Sequence, residues 1–422
     1  MMCPSVGEIK SFGFVTLFFC FLFQIACGAA PAESTVITSE DPHCPEGYVL
    51  TASLTTHPNS SRSSAESERI MVDSAAAELS KNVAVPWNYA WTSTERIGCI
   101  FSGLDPEADY ILGLSWWDAA EEGIVQSVQF SSPEDKGWQT AVPAAPAAAF
   151  SGDRSVPAKI LLPIPQSGVE GGIFHLSILK EEGPHAVLQA VSLFRLKTTT
   201  REKKILIITG DDYGGHDWVN TAPALARVLR EDPRLEVTIT ESPAMTGSPW
   251  LAFYDAVVLH FKNYDQRLLL APSSGEALRN YVASGKGLLL SHFACGAFEN
   301  WPPFEKIAGR IWNPELRAHD PYGVFQVRMT EEKHLITQGL TDFQIQDELY
   351  TCLDGQHEIT VLCDALSVVD EKVYPIAFIV ENTEGRVFHC LLGHDTQVYD
   401  NEDAAALYRR AALWAVGLIG EE

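Results

Sequence analysis

In the second half of the chain, short uninterrupted apolar runs alternate with stretches of helical length. Lys204-Ile-Leu-Ile-Ile-Thr209 and Gly287-Leu-Leu-Leu-Ser291 have no polar side. A strand apolar on both faces must be covered on both faces, which an α/β sheet with crossover helices provides. The pattern predicts strands over 204–209, 235–240, 256–261 and 287–291, and helices over 221–231 and 275–284. Pro223 falls in the first turn of the first helix, and Gly285 closes the second. Asn382-Thr-Glu-Gly385 reads as the turn of a hairpin between 375–380 and 386–391. A final helix over 403–418 carries Leu407, Ala411, Trp414 and Leu418 on one stripe. Residues 203–420 are thus predicted to form an open, mostly parallel α/β domain.

Open α/β sheets bind ligands in the crevice outside the carboxyl ends of their strands. The residues expected at those ends are His216, His292, His319, the pair Asp347-Glu348, and His394. Imidazoles and a carboxylate arriving from separate strand ends are a donor set for Zn²⁺ or a similar divalent ion with an open position. His216, His292, Glu348 and His394 are the candidate catalytic residues, and the same four with His319 are the candidate metal ligands. A His/Glu acid–base site without metal uses the same residues. Adjacent side chains diverge, so of Asp347-Glu348 we expect Glu348 to face the pocket. Asp395 is a candidate orienting partner for His394. Trp218, Trp301, Tyr350 and Asp347 are candidate substrate contacts, with core packing or capping as the alternative for each. His260, His334, His357 and His389 read as packing or surface groups.

The first half has another texture. Between 40 and 198, short alternating segments at 98–101, 110–116, 125–130, 159–162, 174–179 and 186–195 are separated by turn signals, the pattern of a β-sandwich. Ser102-Gly-Leu-Asp-Pro106, Tyr110-Ile-Leu-Gly-Leu-Ser-Trp-Trp-Asp118 and the closing Ser192-Leu-Phe-Arg-Leu196 resemble the jelly-roll, galactose-binding-like modules of carbohydrate-active enzymes. That resemblance implies a sugar platform among Trp87, Trp91, Trp116 and Trp117. Neighbouring strand residues point to opposite faces, however, so at least one of Trp116 and Trp117 belongs to the core. The Ser-rich stretch 57–67 and the Ala/Pro run 141–149 read as surface connections, and 198–204 as the linker.

Thirty basic against fifty-five acidic residues leave a net charge of −25, which disfavours nucleic acid and anionic membrane as partners. Residues 1–32 read as a signal peptide: Lys10, an apolar run over 12–26, then Gly28-Ala29-Ala30. The protein is therefore expected to be secreted or periplasmic, with no stable membrane span after cleavage. An uncleaved anchor and a lipid on Cys27 are the alternatives, although Gln24 is a poor lipoprotein residue. Outside the cytosol Cys44 and Cys99 either pair or remain buried thiols.

Several ordered segments of the second half resemble the ThuA-like (trehalose-utilisation) family. They are Gly215-His-Asp-Trp218, Gly287-Leu-Leu-Leu-Ser-His292 with Phe298 and Trp301, Ile307-Ala-Gly309 to His319, His334-Leu-Ile-Thr-Gln-Gly-Leu340, Asp347-Glu-Leu-Tyr350, and Gly385-Arg-Val-Phe388 to Leu392-Gly-His394. The resemblance implies the class I glutamine amidotransferase-like, flavodoxin-type fold. It also implies a carbohydrate substrate, a glycoside or a glycoside oxidised at the 3-position, handled by a hydrolase or lyase. Amidotransferases need a cysteine on the strand-to-helix elbow. Here the elbow carries Ser291-His292 and Cys295 falls three residues late, so a glutaminase is not expected. A non-catalytic sugar-binding or scaffold protein is the alternative.

Overall fold

The computed structural model describes residues 37–420 apart from 56–62, 65–68, 73–77, 82–88, 119–121, 133–136, 148–156, 198–200, 213, 264–269, 271 and 299. The leader, Trp87 and most of the Ser-rich stretch lie outside the described residues.

The second half is built on a nine-stranded sheet. In spatial order its strands are Leu235–Thr240, Lys203–Ile208, Ala256–Leu259, Gly287–Ser291, Val387–Cys390, Val373–Val380, Ile359–Leu366, Gly323–Met329 and Phe343–Asp347. The first five run parallel, and the last four extend the sheet antiparallel. Mostly parallel therefore holds for the doubly wound part only. The three strands inside 323–366 carry partly exposed positions, so they lack the continuous apolar signal.

Side-chain alternation divides the apolar runs between two layers. Ile205 and Ile207 pack with Leu225, Leu229, Leu407 and Ala411 of the helices Trp218–Arg230 and Glu402–Ala415. Leu206 and Ile208 face Leu278 and Tyr281 of the helix Pro272–Ala283. Each such side chain contributes roughly 1.5–3 kcal/mol by burial. The first helix begins three residues earlier than expected, at Trp218, so Pro223 lies inside it. The carbonyl left without its usual donor is that of Val219, a residue 37% exposed, where water can substitute.

The first half forms two five-stranded antiparallel sheets and a small third one. Phe101, Phe174, Leu176 and Ile178 of one sheet share a single core with Leu112, Leu114, Ile160 and Leu193 of the other, the arrangement of a β-sandwich. The strand expected at 186–195 is two: Ala186–Leu188 joins the small sheet and Ala190–Leu196 the first, with the chain switching at Gln189. The run expected as a surface connection is largely a strand, Gly137–Pro146, with Ala141 and Val142 buried. Small side chains let it lie close beneath Pro249–Phe253, where Ser248 Oγ donates to the Ala141 carbonyl at 2.5 Å. Trp116 and Trp117 are both buried, so neither belongs to a sugar platform. Cys44 and Cys99 are free, buried in separate apolar clusters.

The sandwich covers the edge strand Leu235–Thr240. Ile239 N donates to the His43 carbonyl (3.1 Å) and Glu241 N to the Lys159 carbonyl (2.9 Å), so ladder groups that would template aggregation are occupied. A buried clasp fixes the joint: His43 Nδ1 donates to Asp41 (2.7 Å), His43 Nε2 lies 2.9 Å from Glu241 Oε1, and Lys159 Nζ is 2.6 Å from Asp41. Among the described residues no helix is long and apolar enough to cross a membrane.

Candidate metal centre

Four strand ends deliver one side chain each to the same point. His216 comes from the Gly-rich loop after Lys203–Ile208, His292 from the residue after Gly287–Ser291, Glu348 from the residue after Phe343–Asp347, and His394 from the loop after Val387–Cys390. One ligand atom from each lies within 4.8 Å of all the others. Glu348 Oε2 is the hub, 3.5 Å from His216 Nε2, 3.8 Å from His292 Nε2 and 3.3 Å from His394 Nδ1.

His292 holds the elbow with φ +47°, a conformation costing a non-glycine residue on the order of 1–3 kcal/mol. It is fully buried, and its Nδ1 donates to the Leu391 carbonyl at 2.7 Å, which fixes the ring with Nε2 aimed at Glu348. His216 is held the same way, with Nδ1 donating to Asp212 Oδ2 at 2.6 Å. Burial pushes the His216 imidazole down, but Asp212 and Glu348 outweigh it and raise its pKa to about 9. Burial pushes the Glu348 carboxyl up, but contacts with His216, His292 and His394 prevail and hold it far below the carboxylate range.

Asp347 places this machinery. Its carboxylate accepts from the amides of Gly393 (2.8 Å), His394 (3.1 Å) and Glu348 (2.8 Å), tying the two loops that carry His394 and Glu348. Gly393 has φ +135°, and a Cβ there would meet Tyr399 Oη at 2.7 Å.

His319 stands at the rim, one-third exposed. Its Nδ1 donates to the Asp320 carbonyl (2.7 Å) and its Nε2 lies 3.6 Å from Glu348 Oε1, the other carboxylate oxygen. It is not one of the four atoms that converge. Of the four expected substrate contacts three are buried and Trp301 is partly buried. Asp347 is fully buried and spent on backbone amides; Trp218 is buried at the helix start; Tyr350 is buried with its ring edge-on to His292 at 4.7 Å; and Trp301 lies over Gly275 and against Phe298, where it packs the core. Asp395 does not orient His394: it accepts from the Tyr322 hydroxyl at 2.5 Å, while the Tyr322 ring sits 5.1 Å from His394. Asp212 was missed, although Asp-x-x-x-His in a glycine-rich loop was there to be read. His260 and His389 are buried and pushed down to about 3 and about 4 by desolvation, the expected packing histidines.

The quartet fits a divalent ion. Donors about 2.0–2.2 Å from a tetrahedral centre lie roughly 3.3–3.6 Å apart, close to the nitrogen–oxygen separations observed and longer than good hydrogen bonds. His292 Nε2 and His394 Nδ1 are buried without a hydrogen bond among the described residues. The hydrogen bonds behind His216 and His292, to a carboxylate and a backbone carbonyl, are the supports that orient metal-bound imidazoles. Cys295 is fully buried one turn past the elbow, so the elbow presents imidazole rather than thiol.

Solved structures similar to this chain include a ThuA-like protein of Parabacteroides merdae, 23% identical over 53% of this chain and 93% of that one, with a TM-score of 0.45. A ThuA-like protein of Bacteroides uniformis is 17% identical over 52% and 93%, with a TM-score of 0.43. A glutamine amidotransferase of Thermotoga maritima is 12% identical over 51% and 99%, with a TM-score of 0.33. No curated protein matches the chain. The family model described as trehalose utilisation, ThuA, matches residues 204–415, and the chain belongs to that family.

Proposed function

We propose that the protein is an exported, divalent-metal-dependent enzyme of carbohydrate metabolism that cleaves a glycoside or 3-keto-glycoside as a hydrolase or lyase. The observation that carries the reading is the convergence of His216, His292, Glu348 and His394, two of the imidazoles being fixed from behind. Zn²⁺ fits this nitrogen-rich set best; bound there, it would polarise a sugar carbonyl or acidify a water. The sugar follows from the family, and export rests on residues 1–32.

One residue beside the quartet supplies proton transfer. His319 keeps its proton on Nδ1, so its Nε2 is a base at the open side. Beside a 3-keto group it would take the proton from carbon 2, and the electron pair would then expel the substituent on carbon 1. The Tyr322 hydroxyl donates its one proton to Asp395 (2.5 Å), so the expelled oxygen would take its proton from water.

The test is elemental analysis of purified protein together with incubation of wild type and His292→Ala with disaccharides and their 3-keto forms. Expected are about one metal equivalent, released monosaccharide, and loss of both in the variant. Equal release by the two proteins would remove the quartet from the reaction.

A further inference from the structure

The opposite end of the sheet carries a second concavity. Lys204 and Glu236 are register partners near the amino ends of Lys203–Ile208 and Leu235–Thr240, whereas the quartet follows carboxyl ends. The sandwich closes over them with Tyr48 and Asp109, and Phe253 and Tyr254 complete the wall around a cleft of about 330 Å³. Small-molecule pockets begin near this size, at about 300 Å³.

The polar groups form a row of alternating sign. Lys204 Nζ lies 3.5 Å from Asp109 Oδ2 and 4.0 Å from Glu236 Oε1. Glu236 is only 4% exposed and accepts a hydrogen bond from Tyr48, while Asp109 and Lys204 are each about two-fifths exposed at the entrance. Tyr48 and Tyr254 are buried, but the Phe253 ring is 44% exposed.

This lining selects by chemistry. An anion meets two carboxylates, and a cation must displace a lysine already between them. Hydroxyl groups do neither: they donate to Asp109 and Glu236, accept from Lys204, and leave carbon-bound hydrogens to lie against aromatic rings. We propose that this cleft is a second binding site, independent of the quartet, for a neutral polyhydroxylated ligand of mono- or disaccharide size. The sandwich would then recognise sugar at its joint with the α/β domain, through tyrosine and carboxylate rather than through Trp116 and Trp117.

The experiment uses the full chain with His292→Ala and His394→Ala, so that no outcome depends on the quartet. Glucose, maltose and inositol are titrated by calorimetry and ligand-observed NMR, with phosphate and spermidine as ionic controls. We expect saturable binding of at least one neutral compound, weakened about tenfold by adding Asp109→Asn, the order of one charged hydrogen bond. Phe253→Ala, at an exposed position where folding is not at stake, should weaken it too. No saturable binding of a neutral compound, affinity unchanged in both variants, or tighter binding of phosphate or spermidine would each overturn the proposal.

Discussion

Asp212→Asn separates a metal centre from a mere cluster of polar groups. The Asp212 carboxylate is buried and accepts the 2.6 Å bond from His216 Nδ1. Asparagine keeps the shape and one acceptor oxygen but removes the charge that makes Nε2 of the imidazole a stronger donor to an ion. Losing such a support typically lowers metal affinity by about 10- to 100-fold, or about 1.4–2.7 kcal/mol. The assay is competition for Zn²⁺ against a chromophoric chelator, with near-ultraviolet circular dichroism as a check on folding. Asp395→Asn is the control: that carboxylate receives the Tyr322 hydroxyl and supports no ligand nitrogen, so affinity should change by less than about threefold. Wild-type affinity in Asp212→Asn, or an equal fall in both variants, would refute the argument.

Asp347→Ala strands three amides, those of Glu348, Gly393 and His394, at about 1–3 kcal/mol each. Urea denaturation should show a loss of several kcal/mol together with loss of bound metal, and a loss under about 1 kcal/mol would contradict the clamp. The His43 clasp should make stability pH-dependent. Burial pushes His43 down, but Asp41 and Glu241 raise its folded pKa above 6.5, so its contribution is fully present below 6.5 and disappears as pH rises through the raised value. Asp41 is pushed up by burial but brought down to about 2 by His43 and Lys159, so its contribution holds above 3.8 and fades as pH falls towards 2. Denaturation midpoints of wild type and His43→Gln from pH 5 to 9 should converge at the alkaline end, and a constant gap would count against the clasp. Finally, residues 203–420 expressed alone should aggregate more than the full chain by light scattering, because Leu235–Thr240 loses its cover; equal solubility would mean the edge needs none.

The legible features were those a single strand or turn determines. Gly287-Leu-Leu-Leu-Ser-His292 declares a strand covered on both faces and a polar residue on its elbow, and strand and elbow fall there. Likewise His216 and His394 follow glycines after apolar runs, and they meet. What a neighbouring element decides has its physical cause outside the local sequence, even where the expectation, Glu348, agrees with the structure. Of two adjacent acids, divergence says that one faces the pocket, but only the amides of Gly393 and His394, donated by a distant loop, turn Asp347 away and leave Glu348 to the imidazoles.

The Ala/Pro run at 141–149 failed for the opposite reason, since its composition answers to a contact. Larger residues would keep this strand away from Pro249–Phe253, and a polar loop would not bury Ala141 beneath Ser248. The same holds for Trp116 and Trp117, which read as a platform only if one face of their sheet is free. Here both are covered. The Ala/Pro strand lies where the sandwich meets the α/β domain, and that joint also carries the His43 clasp and the covered edge strand. Its side chains were chosen by the contact between the two parts, so a reading of either part alone could not reach them.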